Sequence, residues 1–117
     1  MTDKPASVYL PEAGDIVWLD LNPRTGHEQS GRRPCIVISS HLFSEHTGMA
    51  VVCPITSRVR GLPFEIVMEG TETQGAILPI HLRSIDLASR YPKFIERAPG
   101  VILEQTRDYA QALISSD

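Results

Sequence analysis

Cysteine, aromatic residues and long apolar runs are all scarce in this chain of 117 residues, and each scarcity excludes something. Two cysteines, Cys35 and Cys53, cannot build the multi-bridge framework that staples small secreted domains. Both sit inside apolar, strand-like runs and read as small buried hydrophobes. No stretch approaches the roughly 18 consecutive apolar residues of a membrane-spanning helix. The opening Met1-Thr-Asp-Lys-Pro-Ala-Ser7 lacks the apolar segment of a signal peptide. The expected setting is a reducing cytoplasm, without a membrane partner.

Chemical signatures are missing as well. There is no GxxxxGK[ST] or GxGxxG loop to cradle a phosphate, and no GxSxG elbow for an esterase serine. His27, His41, His46 and His81 show no HxH or HxxxH spacing, and the cysteines form no CxxC. No metal and no cofactor are expected.

What is present is an ordinary globular balance, 42% apolar and 21% charged, in a length that makes one domain. The net charge of −3 argues against a nucleic-acid binder until it is divided along the chain. Residues 1–23 set one lysine against four carboxylates, and residues 61–117 set five basic against eight acidic groups. Between them Arg24, Arg32, Arg33, Arg58 and Arg60 face only Glu28 and Glu45. The middle third is a basic island in an acidic chain.

Residues 1–12 are polar, with two prolines, and are expected to form a flexible arm before one domain over 13–114 and a tail at 115–117. Strands are predicted at Ile16–Leu19, Pro34–Ile38, Met49–Ile55, Phe64–Met68, Ala76–Leu78 and His81–Ile85 from their β-branched, apolar runs. Ser39-Ser40 suits the cap of a short helical turn over 41–45 that Gly48 ends. Leu103, Thr106, Ala110, Leu113 and Ile114 trace one apolar stripe on a helix of about 103–114. Several short strands and one C-terminal helix point to a small antiparallel barrel, marginal enough in core to suit a dimer.

The densest polar cluster is Arg24-Thr-Gly-His-Glu-Gln-Ser-Gly-Arg-Arg-Pro34. A solvated hairpin tip is the plain alternative, but Pro34 fixes the backbone just after Arg33, so that side chain leaves a rigid strand start. A second basic loop, Thr56-Ser-Arg-Val-Arg60, follows one strand later. On the hairpin that would join them, Arg33 and Thr56 are expected at opposite ends, sharing a rim only through a bent sheet. An arginine, carboxylate, imidazole and hydroxyl set without metal or nucleotide suits RNA cleavage by its own 2′-hydroxyl. That chemistry needs a base, donors for a phosphorane and an acid for the leaving oxygen. Arginine serves the phosphorane because its fork binds phosphate bidentately and stays charged.

Gly14-Asp-Ile-Val-Trp-Leu-Asp-Leu-Asn-Pro23 followed by Gly26-His-Glu-Gln-Ser-Gly-Arg-Arg-Pro34 resembles the N-terminal signature of the MazF/PemK toxins, endoribonucleases of bacterial toxin–antitoxin modules. Thr47-Gly-Met49, Pro54-Ile-Thr-Ser57, Gly61-Leu-Pro-Phe-Glu65 and Arg83-Ser-Ile-Asp86 look like the following blocks, in order. The resemblance implies an SH3-like twisted barrel with a C-terminal helix (MazF/PemK/CcdB-like). It implies a homodimer that takes single-stranded RNA across its interface, and neutralisation by an antitoxin whose disordered acidic tail fills the basic groove. It also implies metal-independent, sequence-selective cleavage leaving a 2′,3′-cyclic phosphate and a 5′-hydroxyl.

Carried over by motif, the catalytic arginine falls on Arg33, the threonine on Thr56 and the loop carboxylate, as general base, on Glu28. His27, Gln29 and Ser57 are auxiliaries, and Arg24, Arg32, Arg58, Arg60, His81 and Arg83 are expected to bind RNA. Two departures stand out. An Arg and Asp that serve as acid and base in one branch are Leu78 and Ile80 here, and the common Asp-Gln pair is Ile80-His81, leaving the preferred RNA sequence open. A non-catalytic member and a gyrase poison of the same fold are the rivals. The poison needs an aromatic C-terminal tripeptide, which Leu113-Ile-Ser-Ser-Asp117 lacks.

Overall fold

The computed structural model describes residues 9–21 and 31–115. Its strands are β1 (Asp15–Asp20), β2 (Arg32–Val37), β3 (Met49–Thr56), β4 (Ile66–Val67), β5 (Ala76–Ile77), β6 (Arg83–Asp86) and β7 (Lys93–Arg97). Helix α1 (His41–Thr47) joins β2 to β3, α2 (Leu87–Arg90) follows β6, and α3 (Gly100–Ile114) follows β7. The strands pair antiparallel in the order β4-β5-β3-β2-β1-β7, with β6 added to β3. The result is a curled half-barrel with a C-terminal helix, as expected.

β3 is the hinge of this curl. Its first half pairs with β6, from Met49 opposite Asp86 to Val52 opposite Arg83. Its last two residues pair on the same edge with β5, Ile55 opposite Ile77 and Thr56 opposite Ala76. Pro54 lies between. Its carbonyl accepts from the Leu78 amide at 2.9 Å, so its ring nitrogen faces that same edge and no bond to β2 is lost.

The central strands β1, β2 and β3 are apolar on both faces because both faces are covered. Ile16, Ile36, Cys53, Ile55 and Ile77 form one core with Ile102 and Ala110 of α3. Val17, Leu19, Cys35, Val37, Val52 and Ile85 form the other. Cys53 pairs with Ile36, the neighbour of Cys35, so strand alternation sends the two thiols to opposite cores. Both are free and buried.

Local signals set α1. The Ser40 hydroxyl accepts from the Phe43 amide at 3.1 Å, and Gly48 closes the helix in the left-handed region at φ 72°. α3 starts three residues earlier than its pattern suggests, so its buried line is Ile102, Thr106 and Ala110, with Leu103 half-buried. Leu113 and Ile114, expected on the buried stripe, are exposed. The expected strand over 64–68 shortens to β4, and β7 and α2 were not anticipated. β7 carries charge at both ends and alternates weakly, so its pairing with β1 leaves little trace in its own residues. Residues 9–12, expected in the arm, pack on the body. Pro11 is buried, and the Tyr9 ring meets Phe94 edge-on at 6.2 Å between centroids.

Candidate nucleic-acid interface

The β2–β3 register brings the two basic segments together. The β2–β3 pairing ends at Cys35 opposite Pro54; continued two residues outward, that register sets Arg33 opposite Thr56, and both line one cleft. The start of one antiparallel strand meets the end of its partner, so the expected separation at opposite ends of the hairpin is wrong. Arg33 lies on the Cys35–Val37 face, Thr56 on the Val52–Pro54 face, and Arg83 opposite Val52 on the same side.

A cleft of about 380 Å³ follows from this, lined by Leu21, Arg33, Pro54, Thr56, Leu78 and Arg83. The Cys35 thiol beneath it registers both cations. Burial pushes its pKa up to about 12, with Cys53 adding to the rise and Arg83 and Arg33 pulling the other way. Cys53 is raised to about 12 by burial. Neither thiol is a nucleophile at neutral pH.

A second cleft adjoins the first and shares Thr56 and Leu78 with it. Arg58, Arg60, Phe64, Glu65 and His81 line it. Thr56 is thus the hinge between two basic hollows. Its Oγ1 accepts from the Arg58 amide at 3.1 Å, which leaves its O–H free to donate outward. Gly75 holds it from behind at φ 123°, where a Cβ would lie 2.0 Å from the Thr56 carbonyl oxygen. Only glycine fits so close a backbone approach. Sequence reading missed this residue, although a lone glycine before a short apolar strand is the signal for such an approach.

Among the described residues, none of Arg32, Arg33, Arg58, Arg60 and Arg83 forms an ion pair with a carboxylate. Arg58, Arg60 and His81 are exposed on the second cleft, with Ser57 exposed beside Thr56. Arg32 is exposed too, but it lies one residue off the cleft face, so strand alternation directs it to the other side. Ile80 and His81 sit on a 3₁₀ turn, Pro79–His81, between β5 and β6. Arg24, His27, Glu28 and Gln29 lie outside the described residues. No three His, Cys, Asp or Glu side chains among the described residues converge to hold a metal ion. No helix among them is long and apolar enough to cross a membrane.

The arrangement offers cations without ion-pair partners among the described residues and a hydroxyl donor, the groups that stabilise a phosphate gaining negative charge. Comparison with known proteins points the same way. The family profile described as PemK-like, MazF-like toxin of type II toxin–antitoxin system matches residues 12–114. The Endoribonuclease toxin MazF of Escherichia coli (strain K12) is 39% identical over 84 residues, 72% of this chain and 76% of that protein. The Endoribonuclease toxin ChpB of the same strain is 34% identical over 109 residues, 88% of this chain and 93% of that one. Among solved structures, MazE–MazF (Form-II) from Deinococcus radiodurans superimposes with a TM-score of 0.84 at 38% identity, covering 93% of this chain and 99% of that one.

Proposed function

The chain belongs to the PemK-like, MazF-like toxins of type II toxin–antitoxin systems, and we propose that it is an endoribonuclease cutting single-stranded RNA by attack of the substrate's own 2′-hydroxyl. The observation that carries this reading is that Arg33, Thr56 and Arg83 line one cleft where β2 starts and β3 ends.

In the proposed step the 2′-oxygen bonds to phosphorus and the P–O5′ bond breaks, giving a 2′,3′-cyclic phosphate and a 5′-hydroxyl. Glu28, by its motif position, takes the 2′-hydroxyl proton, with His27 and Gln29 in support. Arg33 and the Thr56 hydroxyl stabilise the dianionic phosphorane, and the leaving 5′-oxygen takes a proton from solvent water, to which the protonated Glu28 returns the one it removed. Arg33, whose guanidinium stays charged near neutral pH, assists that departure through hydrogen bonds to the phosphorane and the leaving oxygen. The donors are guanidinium and hydroxyl groups, so no metal enters the step. Arg58, Arg60 and His81 bind the flanking strand, and Ser57 supports Thr56.

As a toxin of this class the protein acts as a homodimer in the cytoplasm and is held silent by an antitoxin. An acidic segment of that partner would occupy the same unpaired arginines that phosphate occupies. Sequence selectivity follows from side chains on the second cleft, where Ile80 and His81 lie.

Purified protein is expected to cut a single-stranded RNA in EDTA and to leave a 2′-deoxy version at the cut site intact, because the nucleophile is then missing. Cleavage of the deoxy strand, or a requirement for Mg²⁺, overturns the mechanism.

A further inference from the structure

The segment that carries Arg58 and Arg60 has little to hold it. Residues 57–62 are all exposed, and a short exposed loop with two long cationic side chains would ordinarily spend its binding energy on becoming ordered. Beyond the Arg58 amide on Thr56 Oγ1 and the Glu65 amide on the Leu62 carbonyl, the structure supplies two further restraints. Glu65 turns its carboxylate back into the loop and accepts three successive amides on Oε1: Arg60 at 3.1 Å, Gly61 at 2.9 Å and Leu62 at 3.3 Å. Oε2 takes a second share of the Arg60 amide at 3.3 Å. Gly61 sits at φ 72°, the left-handed conformation that lets consecutive N–H groups converge on one anion. Behind the loop, the Tyr109 hydroxyl of α3 donates to the Pro63 carbonyl. Glu65 is itself anchored, because the next residue, Ile66, enters β4 and the core.

A carboxylate beside an RNA cleft would normally repel phosphate. Here three amides surround it, which leaves the arginine charges dominant at the rim. We propose that Glu65 is a positioning residue: it clamps the loop so that Arg58 and Arg60 are presented to RNA already ordered. This deepens the endoribonuclease reading and rests on it. Glu65 touches no reacting atom and acts on the substrate only through the loop.

The test compares wild type, Glu65→Ala and Glu65→Gln, each alone and in an Arg58→Ala/Arg60→Ala background. Affinity for a single-stranded RNA made uncleavable by a 2′-deoxy at the cut site is measured against salt, with single-turnover cleavage of the all-ribose strand at saturation. Glu65→Ala is expected to weaken binding about tenfold and to flatten the plot of log Kd against log salt by about one phosphate contact or more, roughly 0.7 each for single strands. Cleavage at saturation should stay within about threefold, since Arg33 and Thr56 are untouched. Glu65→Gln keeps an acceptor oxygen and should recover most of the affinity. In the double-alanine background Glu65→Ala should cost little more, because the groups it presents are gone.

An equal, additive loss in that background overturns the clamp and assigns Glu65 a general structural role. Unchanged affinity and salt slope in Glu65→Ala overturn it as well. A wild-type protein that neither binds nor cuts RNA overturns the endoribonuclease reading instead, and with it any RNA role for the loop. Hydrogen exchange at the amides of residues 60–62 reads the clamp without RNA: protection in wild type should vanish in Glu65→Ala.

Discussion

Arginine is used in two opposite ways at the two ends of the β1–β2–β3 sheet. At one end Arg97 of β7 lies between carboxylates, 3.4 Å from Asp15 Oδ1 and 3.8 Å from Glu12 Oε1. Asp15 is buried there and also accepts from the Glu12 amide at 2.9 Å and from the Tyr9 hydroxyl. At the other end the guanidinium groups of Arg33, Arg58, Arg60 and Arg83 form no ion pair among the described residues. A neutralised cation is spent on tying the chain together, whereas an unneutralised one keeps its charge for a ligand. The whole-chain charge of −3 conceals this division because it sums over both ends.

The widest separation between the two ends should come from paired alanine substitutions. Arg33→Ala is expected to lower single-turnover cleavage by about 10³-fold, the usual loss for one well-placed transition-state donor. Arg97→Ala should leave the cleavage rate alone and cost under about 1 kcal/mol in stability, since its side chain is largely exposed. Equal losses in rate would erase the distinction.

Gly75→Ala comes next. The added methyl collides with the Thr56 carbonyl at a φ that L-residues avoid, so a stability loss of about 3 kcal/mol is expected. Cleavage per folded molecule should fall with it, because Thr56 must move. A variant with normal melting and normal rate would show that the approach does not position Thr56.

Asp15→Ala sharpens the other end. It strands the Tyr9 hydroxyl and the Glu12 amide and leaves Arg97 with Glu12 alone, for a loss of about 2 kcal/mol by urea unfolding. RNA affinity should be unchanged, as this cluster contributes no free charge to the clefts.

The smallest effect concerns Glu96. Desolvation raises its pKa, but hydrogen bonds from the Thr73 hydroxyl and the amides of Glu72 and Thr73 outweigh this and hold the carboxyl below its ordinary value of 4.5. A depressed carboxylate adds stability above its unfolded pKa and loses that contribution as pH falls through the folded one. Wild type should therefore lose stability more steeply than Glu96→Gln on acidification below about pH 4.5, with the curves parallel near neutrality. Parallel curves throughout would remove Glu96 as an acid-sensitive tie.

Legibility from sequence differs between elements for identifiable reasons. α1 is readable to within two residues because both its caps are local: a serine hydroxyl three residues before an amide, and a glycine able to turn left-handed. The cores of β1, β2 and β3 are readable because strands buried on both faces must be continuously apolar. β7 is not, since its place depends on hydrogen bonds to β1 that no pattern within Lys93-Phe-Ile-Glu-Arg97 encodes. α3 is readable as a helix, but its phase is not. Leu113 and Ile114 continue an apolar pattern past the residues that Ile102, Thr106 and Ala110 bury.

The candidate site divides in the same way. Residue types and motif spacing single out Arg33 and Thr56, but neither type nor spacing says that they face one another. That follows from the antiparallel register of β2 and β3.

Sequence alone determined the elements whose causes lie within a few residues: the capped turn, the doubly buried strands, the basic middle third and the motif blocks of the family. Tertiary structure alone decided the relations between segments far apart in the chain. Among them are Arg33, Thr56 and Arg83 on one cleft, Gly75 against the Thr56 carbonyl, and Tyr9 with Arg97 on Asp15. Local propensity is a property of neighbouring side chains and their backbone. Register and close approach are set only when hydrogen-bond ladders and two shared cores are completed together.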